Sequence, residues 1–173
     1  MFIRGTRKGL LMAAVAFALI GVASLAKAQA STATQTATIT ANVNSTATLT
    51  LGVNTVTFPS ADPNTVSSIP ANENAISITA KARTGKSGAV TLTVLSSGDL
   101  SSGTDTIPIN NVTWTATGAG YVGGTLSNAS AQAVGSWTGP GTHSGGLSYF
   151  LANSVFYSTG TYTTTITYTL TAP

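Results

Sequence analysis

The chain has 173 residues, among them seven Lys and Arg, four Asp and Glu, one His and no Cys. Four of the basic residues (Arg4, Arg7, Lys8, Lys27) precede residue 31, so residues 31–173 carry Lys81, Arg83 and Lys86 against Asp62, Glu73, Asp99 and Asp105, a balance of 3 − 4 = −1. That balance excludes electrostatic binding of nucleic acid or of an anionic membrane, and the fold receives no help from disulfides.

Residues 1–30 read as a secretory signal peptide. Arg4, Arg7 and Lys8 form a positive start, "LLMAAVAFALIGVASLA" is the apolar run, and Ala26-Lys27-Ala28 and Ala28-Gln29-Ala30 are overlapping cleavage patterns. The rival reading is an uncleaved membrane anchor, because the run is near the lower limit for spanning a bilayer. The small residues before the A-x-A sites favour cleavage, after Ala28 or Ala30. What remains is 173 − 30 = 143 residues, enough for one domain (31–173) with an ordinary core.

From residue 31 to 53 the pattern alternates. Ala33, Ala37, Ile39, Ala41, Val43, Ala47, Leu49, Leu51 and Val53 share odd positions, with Gln35 and Ser45 as polar exceptions. A period of two places them on one face of a pleated strand. One strand of that length is implausible, so a break at "NVNS" is expected, with an alanine-rich strand to Val43 and a leucine-rich one from Ala47. The apolar parity then flips to even at Val56 and Phe58, which implies a bulge or bend before Pro59.

A long loop follows through "SADPNTVSSIPANEN". "AISITAKART" and "AVTLTVL", joined by "GKSG", read as a hairpin with Ile76, Ile78, Ala80 and Ala82 inward on one arm and Val90, Leu92 and Val94 on the other. Strands are further expected around Ile107–Ile109, at Val112, Trp114 and Ala116, weakly at 123–126 and 132–137, and in "GGLSYFLA". The end, "GTYTTTITYTLTAP", alternates Thr with Tyr162, Thr164, Ile166, Tyr168 and Leu170 and reads as a strand from Thr161 to Thr171. Short strands at roughly ten-residue spacing, with no apolar period of helical length after residue 30, indicate an all-β sandwich of immunoglobulin-like size.

Little in this sequence supports an enzyme. His143 is expected in a glycine-rich loop, "GPGTHSGG", with no carboxylate near it in sequence, and the closest acidic pair, Asp99 and Asp105, reads as turn residues. No spacing fits a metal site, and no cofactor motif is present; "TGKSG" lacks the earlier glycine of a phosphate loop, since position 80 is Ala. Trp114 is in phase with core positions. Tyr121, Trp137 and Tyr157, with Phe156, are expected at strand ends or loops, where Tyr121, Trp137 and Tyr157 are candidate glycan contacts. A monomeric extracellular glycan-binding or adhesin module is the alternative function they support.

The two terminal strand segments, 31–53 and 161–171, carry neither charge nor proline, the residues that normally protect sheet edges from association. They pair within one sandwich, or they offer an edge to another subunit's strand. "GTYTTTITYTLT" resembles the last strand of chaperone–usher fimbrial subunits and of the related spore coat protein U family, and "TATITANVNSTATLTL" is similar to their N-terminal extension and first strand. The resemblance covers the two termini only. It implies an incomplete immunoglobulin-like sandwich completed by the extension of the next subunit, after passage through the periplasm with a chaperone and delivery to an outer-membrane usher. On that resemblance Ala33, Ala37, Ile39, Ala41 and Val43 are donor-strand residues within an extension 31–43. Gly160, Tyr162, Ile166, Tyr168 and Leu170 line the C-terminal strand. The function expected is that of a secreted structural subunit of a pilus or coat at the bacterial cell surface, polymerising with itself and free of the membrane once its signal is cleaved.

Overall fold

The computed structural model describes residues 31–173, so the signal-peptide reading of residues 1–30 lies outside the described residues. Residues 31–40 fall outside the compact unit Ala41–Pro173. They form no strand and every one is exposed. The expected alanine-rich strand is thus not formed within this chain, and the regular structure starts only at Thr46. Alanine side chains bury too little apolar area to hold an extended segment without a partner strand.

The body is an all-β sandwich. Its larger sheet runs β1 (Thr46–Leu51), β3 (Ile76–Arg83), β10 (Gly141–Ala152), β7 (Val112–Thr117), β8 (Gly124–Thr125), with β2 (Ser68–Pro70) paired to the end of β10. The smaller sheet runs β11 (Ile166–Thr171), β4 (Ala89–Ser96), β9 (Gln132–Thr138). A separate hairpin joins β5 (Leu100–Ser102) to β6 (Asp105–Ile107), and a single 3-10 turn covers Ile109–Asn111. All pairings are antiparallel.

β3 and β4 do not form the hairpin that their sequence suggests. β3 pairs with β1 and β10, whereas β4 pairs with β11 and β9, so "TGKSG" is a corner between sheets. The alternation was correct and the pairing was not. Each strand buries its apolar face completely, and two such faces hide more surface stacked across a sandwich than side by side in one ribbon. Ile78, Leu147 and Tyr149 of the larger sheet meet Val90, Leu92, Val94 and Val134 of the smaller in one core cluster or in full burial beside it. Burial of each such side chain contributes about 1.5–3 kcal/mol.

Two further expectations are corrected. His143 lies within β10, not in a loop, because the pairing with β3 extends through "GTHSGG" to Gly141. The C-terminal strand begins at Ile166; residues 160–165 are held instead by the isolated bridge Ser101↔Thr163 and by hydrogen bonds of Thr164 and Thr165 to Ser96, Ser97 and Gly98 at the end of β4. Asn74 fills the gap in pairing between β2 and β3. Its Nδ2 donates to the Tyr149 carbonyl at 2.8 Å and its Oδ1 accepts the Tyr149 N–H at 2.8 Å, so one side-chain amide replaces a missing strand residue.

An open groove between the edge strands

The two long sides of the sandwich differ. On the β8/β9 side the sheets are bridged by backbone: Val122 N–H donates to the Val134 carbonyl at 2.9 Å, Ser136 N–H to the Gly120 carbonyl at 3.0 Å, and Tyr121 faces Gly135 in an isolated bridge. Gly118 and Gly120, at φ 103° and 81°, make the turn that carries the chain across. A Cβ on Gly118 would sit 2.6 Å from the Ser144 carbonyl oxygen.

On the other side stand β1 and β11, each hydrogen-bonded to one neighbour and not to each other. Their inward residues, Leu49 and Leu51 on β1 and Ile166, Tyr168 and Leu170 on β11, are only half-buried, against full burial of the inward residues of β4. The strands approach each other where they overlap. Beyond that overlap a cavity of about 790 Å³ opens between residues 51–61 and 160–168, floored by core side chains such as Ile76, Ile109 and Tyr149. Apolar floor, unpaired strand edges and half-covered walls together define a slot for an extended segment.

Tyr149 of β10 and Tyr168 of β11 span this slot, and their hydroxyls hydrogen-bond to each other. Burial pushes the Tyr149 phenol well above the usual tyrosine range, with the neighbouring Tyr168 adding to the effect, and burial also raises the Tyr168 phenol, against its hydrogen bond to Tyr149. Both therefore remain neutral donors and acceptors at any physiological pH. Of the residues that the resemblance assigns to the C-terminal strand, Gly160, Tyr162, Ile166 and Tyr168 line the groove. Leu170 lies further along β11 with its side chain half-buried against the core. Of the donor-strand residues, Ala33, Ala37, Ile39, Ala41 and Val43 are all exposed; Ile39 is 94% accessible. Residues 53–58 were legible only as a parity flip. They form one wall of the groove, with Thr57 held by Glu73, whose carboxylate accepts the Thr57 N–H at 2.8 Å and the Thr57 hydroxyl at 2.7 Å. Those two bonds, the N–H first, hold the Glu73 carboxyl below its usual range.

The candidate glycan contacts do not form one face. Tyr121 is buried instead of exposed, because its hydroxyl donates to the His143 carbonyl at 2.8 Å under the bridging turn. Trp137 packs edge-on to Tyr121 with ring centroids 4.9 Å apart and stacks on His143 at 4.5 Å, and its indole N–H donates to the Ala119 carbonyl. Tyr157 lies away from them and lines the groove, its hydroxyl donating to the Ala152 carbonyl. Phe156, beside it, is almost fully exposed. Among the described residues no three His, Asp or Glu side chains gather as metal ligands, and no helix is long and apolar enough to cross a membrane. Comparison with family models, with curated proteins and with solved structures finds no match for the chain.

Proposed function

We propose that this chain is an exported structural subunit that polymerises by strand donation, with residues 31–43 of one copy filling the open groove of the next. The observation that carries this reading is the asymmetry of the sandwich. Among the described residues one side is bridged by backbone hydrogen bonds, and the other leaves two strand edges and an apolar slot uncovered. The same chain carries an exposed, unpaired, uncharged segment whose alternation suits that slot.

The energetics divide between backbone and side chains. Ile39 and Val43 each contribute about 1.5–3 kcal/mol on burial, while the alanines contribute less and suit a narrow passage. Backbone hydrogen bonds to β1 or β11 add about 1 kcal/mol each, net of those lost to water. Affinity thus rests on many ladder bonds and two apolar anchors. A subunit of this kind would act after export, at the cell surface.

The test is the size of purified protein by light scattering, with residues 31–43 present and deleted. Detergent-stable oligomers that dissociate on boiling are expected from the full form and monomers from the truncated one. Monomers from both would sink the reading. Unfolding on truncation would also sink it, because the segment would then belong to its own sandwich.

A further inference from the structure

The few charges of the body are sorted by end. β3 runs toward the end where β1 begins and β11 finishes, since Thr46 is opposite Arg83 and Thr171 is opposite Thr91. At this end, the root of the extension, lie Lys81 and Arg83 on β3 and Lys86 in the following turn. The Arg83 Nε–H donates to the Asn44 carbonyl at 2.7 Å, so one cation stands where the extension leaves the body. Lys81 and Arg83 flank a shallow hollow with Thr46, Pro140 and Thr142.

All four acidic side chains occupy the opposite half. Asp62 caps the turn beside Asn153, just after the end of β10, and Asp99 follows β4 and accepts from Ile109 N–H at 2.9 Å. Asp105 opens β6 in the small hairpin, and Glu73 lies on the flank against Thr57. The groove opens in this half, between residues 51–61 and 160–168. Exposed Val155 and Phe156 stand beside it.

We propose that the basic root end of each copy docks on the acidic groove end of a second copy, and that this attraction sets the rate of assembly. The inference rests on the strand-donation reading and adds the contact between bodies that goes with it. The polarity follows from where the extension starts. A donated strand whose root lies at the acidic end puts the two neighbours of each subunit at opposite ends. The reverse direction would crowd both neighbours onto the root end, around one hollow. Contacts between unlike ends are heterologous and propagate head to tail, giving a filament where the rotation between copies does not close a ring. Complementary charge acts chiefly on encounter rate, raising it tenfold or more at low salt, and is screened beyond about 8 Å at physiological ionic strength.

The experiment follows growth of the purified full-length secreted chain by time-resolved light scattering, between low and high sodium chloride. A fall in rate of about tenfold is expected, with the final detergent-stable oligomers unchanged. Lys86→Glu and Asp105→Lys, both exposed sites, should each slow growth several-fold at low salt, and the double variant should recover most of the rate. Oligomers that grow at a rate indifferent to salt and to both reversals would overturn end-to-end docking and leave strand donation standing. Salt-dependent association that persists without residues 31–43 would support the docking and overturn strand donation. A full chain that never associates overturns both.

Discussion

Tyr149 and Tyr168 show how single residues govern the groove. Each belongs to a different sheet, and their shared hydrogen bond ties the sheets together where no backbone pairing does. Tyr149→Phe removes one hydroxyl and leaves the other without its partner, which should cost about 1–3 kcal/mol in urea denaturation. The pair also makes a pH prediction. Burial raises both phenols in the folded state, so folding favours the protonated form. This contribution is complete below the unfolded tyrosine pKa of about 10 and is lost progressively as pH rises above it. The denaturation midpoint should therefore fall above about pH 10, and the Tyr149→Phe/Tyr168→Phe double variant should fall less steeply. An equal slope in that variant would assign the alkaline loss to other groups.

At the scale of elements, burial patterns were legible and partners were not. The alternation in β3, β4 and β11 correctly named Ile76, Ile78, Val90, Leu92, Ile166 and Tyr168 as inward. An inward face is the same whether a strand pairs with its sequence neighbour or stacks across from it, which is why the β3–β4 corner read as a hairpin. His143 was misplaced because glycine suggests loops, yet the glycines of β10 make room for crossing neighbours: a Cβ on Gly146 would stand 3.0 Å from Thr117 Oγ1. The turn that bridges the closed side depends on Gly118. Gly118→Ala forces a Cβ toward Ser144 at a φ that L residues rarely adopt, and should destabilise by about 1–3 kcal/mol in thermal or chemical unfolding. An Ala variant as stable as the parent would mean that the bridge relaxes freely.

At the scale of the whole molecule, the sandwich has a closed side, an open side, a basic end and an acidic end. Under strand donation, Ile39 is the largest side chain that the extension brings to the groove. Since it is exposed in the single chain, Ile39→Asp should leave monomer stability unchanged while abolishing detergent-stable oligomers in light scattering, because burial of an unpaired carboxylate opposes insertion. Persistence of the oligomers in that variant would place the extension elsewhere.

The all-β class, the inward faces of the strands and the scarcity of charge were determined by the sequence alone, because alternation and composition are local properties that any tertiary arrangement must respect. The tertiary structure decided the rest. It separated β3 from β4, buried Tyr121, left β1 and β11 unpaired with each other and carried Lys81, Arg83 and Lys86 to one end and the carboxylates to the other half. The physical reason is that these outcomes depend on which strands become neighbours across long stretches of chain, and backbone hydrogen bonds are alike for every partner.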